Sequence, residues 1–199
     1  MMAELPEFAE AVFPTLRVAG VGAAPVSTDL LDVWAAKGIH LAQSYGLTEA
    51  FSVAILPPRQ AASRVGSAGH RMMHTRLRIA DEAGNALPAR EVGEIQIKGP
   101  AVTPGYWKAP QETARAFVDG WFRTGDAGRL EPDGTLYIVD RYKDMYISGG
   151  ENVYPAEVEN VLCAHVDVAA AAVLGVDDDR WGQTGLAVVQ LRAGAAADA

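Results

Sequence analysis

Apolar and polar residues alternate most cleanly from Glu94 to Lys98 (EIQIK), which predicts a strand with Ile95 and Ile97 facing inward. A second alternating run, Thr135 to Val139, is β-branched and aromatic and follows Glu131-Pro132-Asp133-Gly134, so it predicts the second arm of a hairpin. The first arm opens on Trp121 and Phe122, and Thr124-Gly125-Asp126 after them reads as a tight turn that leaves the Asp126 carboxylate with little bulk around it. Nearer the start, Leu16 to Val21 predicts a short buried strand ending in the loop Gly22-Ala23-Ala24-Pro25. Ser27 is a fair N-cap for a helix through Lys37, with Leu30, Leu31 and Trp34 as its apolar face and Gly38 as its stop. Ile39 to Ser44 is the next strand. Strand, helix and strand with short joins predict a parallel α/β unit, and Tyr45 to Glu49 then falls just beyond a strand's carboxyl end, where open α/β sheets bind ligands.

From Val65 the texture turns to β. Arg76 to Ala80 predicts a strand, Glu82-Ala83-Gly84-Asn85 a turn, and Pro110 opens a short helix to Phe117. Val65 to Asp140 is expected to form a small, distorted β-barrel or sandwich. After Lys143 come the pair Gly149-Gly150 and a helix from Pro155 to about Ala164, with Val158, Val161 and Leu162 buried. A buried strand at Val168 to Val176 and another at Thr184 to Leu191 flank the polar turn Asp177-Asp178-Asp179. The fold class is therefore α/β with α+β character in places.

Composition narrows the function classes. With 199 residues, 49% hydrophobic content and a mean hydropathy of +0.04, the chain is long and apolar enough to bury a core. A formal charge of −8 argues against a nucleic-acid partner, which favours basic stripes. No run approaches the ~20 apolar residues of a membrane span. The start, MMAELPEFAEAVFP, carries acids where a secretory leader has a basic segment. A single cysteine, Cys163, excludes an intrachain disulfide and reads as a buried thiol on a helix, in a reducing cytoplasm.

Two features point to a ligand. Arg141 and Lys143 stand two apart, so in extended chain they project to one side, where an anionic group would be held. Asp126 offers a carboxylate to a polyol or a cation. Taken together, TGD (Thr124 to Asp126), a strand, DRYKD (Asp140 to Asp144) and SGGENVYPAEVE (Ser148 to Glu159) resemble the adenylate-forming superfamily of acyl-CoA synthetases, adenylation domains and luciferases, with wording most similar to bacterial fatty-acyl-CoA synthetases. A separate upstream match, QSYGLTE (Gln43 to Glu49), lies at the spacing that family expects, and the resemblance covers about Leu16 to Leu191.

The resemblance implies an enzyme that joins a carboxylic acid to ATP as an acyl-adenylate and then transfers the acyl group to coenzyme A. It implies that Tyr45 stacks on adenine with Gly22, Ala23 and Ala24 beside the base, and that Gly46 belongs to the same stretch. Thr48 would hold phosphate and Glu49 the Mg²⁺, Asp126 would accept both ribose hydroxyls, Ile138 would pack near the nucleoside, and Trp121 would wall the site. Arg141 would reach ribose and phosphate. Lys143 matches the hinge of the family's small C-terminal domain, so residues 1–142 are expected in the large domain and 143–199 in the small one. Ser148, Gly149 and Gly150 match the segment lining the pantetheine tunnel, where a bare backbone lets a thin chain pass.

Two family features have no counterpart here. No Ser/Thr- and Gly-rich phosphate loop precedes Tyr45, and no lysine follows Lys143. The chain is accordingly expected to be an internal-to-C-terminal piece of a longer enzyme and catalytically incomplete alone. The alternative is a non-catalytic nucleotide-binding or protein-interaction remnant, with self-association through sheet edges left uncovered.

Overall fold

The computed structural model describes every residue except Met1, Ala24, Pro25, Ser27, Ala62, Val65 and residues 196–199. The helix cap expected at Ser27 and the base-side residue Ala24 therefore lie outside the described residues. The chain divides into two compact units: Met1–Thr124 with Arg129–Ile138, and Gly125–Gly128 with Val139–Ala199.

In the first unit, β1 (Gly20–Gly22), α1 (Thr28–Ala35) and β2 (Ala42–Leu47) keep the expected order of strand, helix and strand, and β1 runs parallel to β2 with Gly20 opposite Ala42; the buried strand expected over Leu16 to Val21 is corrected, since β1 is three residues long and Leu16 and Val18 are exposed. Gly38 stops the helix at φ +75°, its N–H donating to the Ala35 carbonyl, a conformation that costs a glycine little. Trp34 packs edge-on against Phe8, with centroids 4.9 Å apart. β2 lies three residues further along the chain than its pattern suggested and carries Tyr45, Gly46 and Leu47 itself. It turns at Thr48-Glu49-Ala50 into antiparallel β3 (Phe51–Leu56). The predicted strand end at Ser44 is corrected: pairing with β3 extends β2 by three residues, across a register shift between Tyr45 and Gly46.

After α2 (Pro58–Ala61), β4 (His70–Arg71) closes the sheet in the order β1-β2-β3-β4. A second sheet holds β5 (Arg76–Ala80), β6 (Gly93–Lys98), β7 (Phe117–Val118), β8 (Trp121–Leu130) and β9 (Leu136–Arg141), in the order β5-β6-β8-β7 with β9 beside β8; α3 (Pro110–Ala116) precedes β7. One core joins both sheets, built from Val53, Ala54, Ile79, Ile95, Ile97, Phe122 and Leu136. β6 is buried on its polar side too, because Gln96 accepts from Arg78 Nε and Nη2, and Glu94 accepts from Arg123 Nε at 2.7 Å.

The second unit contains β10 (Tyr146–Ser148), β11 (Glu151–Val153), α4 (Pro155–Cys163), β12 (Val168–Asp178) and β13 (Gly182–Leu191), in the sheet order β11-β10-β13-β12. β12 and β13 pair antiparallel along their length. The helix and both strands stand where the pattern put them, but their burial does not. Val158 and Val161 are exposed and Leu162 is half-buried, as the inward face of α4 is the one carrying Pro155 and Glu159. Glu159 turns inward because its carboxylate accepts the Val173 N–H of β12 at 2.9 Å. Cys163, expected buried, is exposed. In β12 only Val168 and Val173 are buried, since this antiparallel sheet keeps one face in solvent.

Candidate functional site

In the first unit the candidate residues gather where β1 ends beside β2. Gly22 lies opposite Ser44, and a Cβ on it would fall 2.4 Å from the Ser44 carbonyl oxygen, so only glycine fits there. Ala23 follows at φ +72°. Tyr45 is half-buried and packs on the core. Gly46 is held tighter still: a Cβ there would meet the Phe51 carbonyl oxygen at 2.0 Å. Ser44 and Ser52 share a hydroxyl hydrogen bond of 2.9 Å across the hairpin.

Thr48 and Glu49 occupy the tip, Thr48 exposed and Glu49 half-buried. A loop far along the chain fastens this tip. Thr103 N–H donates to the Glu49 carbonyl at 2.7 Å, and the Tyr106 hydroxyl donates to Glu49 Oε1 at 2.8 Å. Burial first, and then the hydrogen bond and charge of Glu49, push the Tyr106 phenol above its ordinary range. Nothing in the composition of Thr103 to Tyr106 announced this role; the only hint was an aromatic placed directly after Pro104-Gly105. Elsewhere in this unit, Trp121 opens β8 with the Arg78 guanidinium stacked on its ring at 4.4 Å, and Ile138 on β9 is exposed.

In the second unit, Asp126 overturns its predicted setting. It is not on a turn but in the middle of the ten-residue strand β8, and it is 8% exposed. The glycine before it misled the pattern: Gly125 takes φ +73° and bends the strand locally without ending it. Arg141 Nε meets Asp126 Oδ1 at 3.3 Å, and Tyr142 N–H donates to the Gly125 carbonyl at 2.9 Å. The carboxylate is buried while the arginine is mostly solvated, with side-chain exposures of 12% and 58%.

Arg141 ends β9, and Tyr142-Lys143-Asp144 is a turn closed by Asp144 and Met145 N–H groups on the Arg141 carbonyl. The extended geometry expected for Arg141 and Lys143 is thus replaced by a bend. Lys143 is exposed and, with Asp140, Asp144, Glu159 and Gln183, lines a cavity of about 450 Å³. Asp140, to which the sequence pattern assigns no role, spans two elements: Oδ1 accepts Arg141 N–H at 2.7 Å and Oδ2 accepts Ala156 N–H at 2.9 Å. Ser148 ends β10, and Gly149-Gly150 form a two-residue hairpin turn to β11, both at positive φ as the type I′ class requires. A Cβ on Gly149 would fall 2.8 Å from the Trp181 ring, and Gly149 N–H donates to the Trp181 carbonyl.

Among the described residues there is no cluster of three or more His, Cys, Asp or Glu able to cage a metal, and no helix long and apolar enough to cross a membrane. The hard oxygens of Thr48 and Glu49 fit a different use. Mg²⁺ keeps several waters and binds through one or two carboxylates together with substrate phosphates.

Comparison with known proteins bears on both units. The family model described as AMP-binding enzyme matches residues 1–107, and that described as AMP-binding enzyme C-terminal domain matches residues 157–199. The chain is 48% identical over 194 residues to the 2-succinylbenzoate–CoA ligase of Geobacillus kaustophilus, covering 96% of this chain and 39% of that protein. To the long-chain-fatty-acid–CoA ligase FadD13 of Mycobacterium tuberculosis it is 42% identical over 189 residues, or 94% of this chain and 37% of that one. Among solved structures, the o-succinylbenzoate CoA synthetase of Bacillus subtilis in complex with its acyl-adenylate intermediate superposes with a TM-score of 0.87 at 37% identity, covering 94% of this chain and 39% of that chain. This chain therefore spans about two fifths of the length of the relatives it matches.

Proposed function

This chain belongs to the AMP-binding enzyme family, and on that premise we propose that it is the nucleotide-handling part of an AMP-forming acid–thiol ligase. Such an enzyme converts a carboxylic acid and ATP to an acyl-adenylate and pyrophosphate, then passes the acyl group to the thiol of coenzyme A. The observation that carries the reading is the buried Asp126 carboxylate, held in a kinked strand with Arg141 beside it. A nucleoside's vicinal hydroxyls are paired donors, and a carboxylate fixed by the fold accepts both without losing freedom on binding. Arg141, still largely solvated, is free to reach a phosphate oxygen.

Within the first unit, Tyr45 would give an adenine a flat face, and Gly22 and Ala23 would keep the opposite side low. The Thr48 hydroxyl donates to a phosphate oxygen. Glu49 would hold Mg²⁺, which when bound neutralises phosphate charge. Residues 1–142 form the end of the large domain and the small domain begins at the Lys143 hinge. Ser148, Gly149 and Gly150 would give the pantetheine arm a backbone wall. The two relatives act by name on a succinylbenzoate and a long-chain fatty acid. The small residues at Gly22 and Ala23 suit a bulky or long acyl group, and we take a fatty or aryl acid as the substrate class. Exposed, lone Cys163 suits a reducing compartment, and we propose the cytoplasm.

Titration calorimetry of the 199-residue chain with AMP tests the reading. Asp126→Asn keeps the shape and removes the charge, and should weaken AMP about tenfold or more, the worth of a hydrogen bond to a charged group. AMP affinity indifferent to Asp126 would overturn it. A second reading, a partner-binding module, is favoured by one observation: Leu174, Leu186 and Val188 are exposed on one face of the β12–β13 hairpin. Light scattering that finds oligomers, with no AMP binding, would select it.

A further inference from the structure

We propose that Tyr106 is a positioning residue that presets the Glu49 carboxylate for a divalent cation; this rests on the reading of Glu49 as the cation's ligand. Glu49 stands at the tip of the β2–β3 hairpin, where a glutamate's three side-chain torsions would ordinarily be free. Here the residue is held twice from one loop, by Thr103 N–H on its carbonyl and by the Tyr106 hydroxyl on Oε1. Among the described residues Oε2 accepts no hydrogen bond. The phenol thus occupies one carboxylate oxygen and leaves the other to point at a ligand.

The loop that carries the phenol is itself braced. Thr103 Oγ1 donates to the Gly105 carbonyl at 3.0 Å and accepts from Gly105 N–H at 3.3 Å. Tyr106 N–H donates to Thr113 Oγ1 at 2.9 Å, and that hydroxyl donates to the Ala109 carbonyl ahead of α3 at 2.8 Å. Gly105 passes so close to Thr113 that a Cβ would sit 2.6 Å from its methyl group. A phenol carried on a chain fixed at both ends has little freedom to lose when it holds its partner. Carboxylates that ligate metals are commonly oriented by such outer hydrogen bonds, and losing one typically costs 10–100-fold in metal affinity.

The test uses the whole chain with ATP, Mn²⁺ as a spectroscopic probe read by electron paramagnetic resonance, and the variants Tyr106→Phe, Glu49→Gln and their combination. Tyr106→Phe should weaken Mn²⁺ in the presence of ATP about tenfold, at the low end of that range because the phenol is part-exposed. Metal-free AMP affinity and melting temperature should not move, and the double variant should be no weaker than Glu49→Gln alone. Mn²⁺ affinity unchanged in Tyr106→Phe but lowered in Glu49→Gln would overturn the inference and leave the ligand assignment standing. Unchanged affinity in Glu49→Gln would overturn both. Equal losses of metal-free AMP affinity and of stability in Tyr106→Phe would reduce Tyr106 to a structural residue and also overturn it.

Discussion

Replacing Asp140 with alanine should loosen the start of α4 and, with it, the segment that carries Arg141. The residue at the N-cap position, Tyr154, makes no side-chain cap hydrogen bond, so the donors of the first turn depend on a carboxylate from elsewhere. Asp140 Oδ2 takes the Ala156 N–H at 2.9 Å while Oδ1 takes the Arg141 N–H at 2.7 Å. Losing a capping acceptor costs about 0.5–2 kcal/mol, and water replaces most of the second bond because Arg141 is exposed. A total of about 1–2 kcal/mol follows, which in a unit of roughly 60–100 residues lowers the melting temperature by about 4–16 °C. Circular dichroism melts measure that fall. Amide exchange localises it: the Ala156 N–H should exchange about 5–30 times faster where opening is local. Asp140→Asn keeps one acceptor oxygen and should fall between the two. A melting curve and an Ala156 exchange rate unchanged in Asp140→Ala would refute the reasoning, since the cap would then contribute nothing.

Two further outcomes follow from local contacts. The Thr135 hydroxyl and N–H, with Arg64, hold the Asp133 carboxyl well below the ordinary aspartate value of 3.8, so its contribution to stability is present above that pH and is lost as pH falls toward the folded-state value. Asp133→Asn should therefore melt below the wild type at neutral pH, with the gap closing in acid; a gap independent of pH would count against this. Gly149→Ala should cost about 1–2 kcal/mol for its left-handed backbone, and more because the new Cβ meets the Trp181 ring. Chemical denaturation in a Trp181→Ala background should recover that extra part, and no recovery would rule the contact out.

Much of the architecture was legible along the chain. Alternation located β6 and β9, Pro110 and Pro155 marked helix starts, and Gly38 stands three residues past the end of α1, because each of these signals acts within a few residues. Asp126 was found by its place in the TGD run, but its environment was misjudged. Gly125 looks like a turn in any short window, and only pairing on both sides of it keeps β8 extended.

By itself the sequence determined where several of the strands and the helices α1, α3 and α4 would form, and in what order the carboxylates, cations and glycines of the nucleotide motifs would come. Tertiary structure alone decided which of them met: Asp126 with Arg141, Glu49 with Tyr106, Asp140 with the head of α4. It also decided that α4 turns Glu159 rather than Val161 inward. The reason is one of range. Propensity and periodicity depend on neighbours in the chain, whereas a hydrogen bond between residues 49 and 106 exists only once the sheets and loops between them have closed.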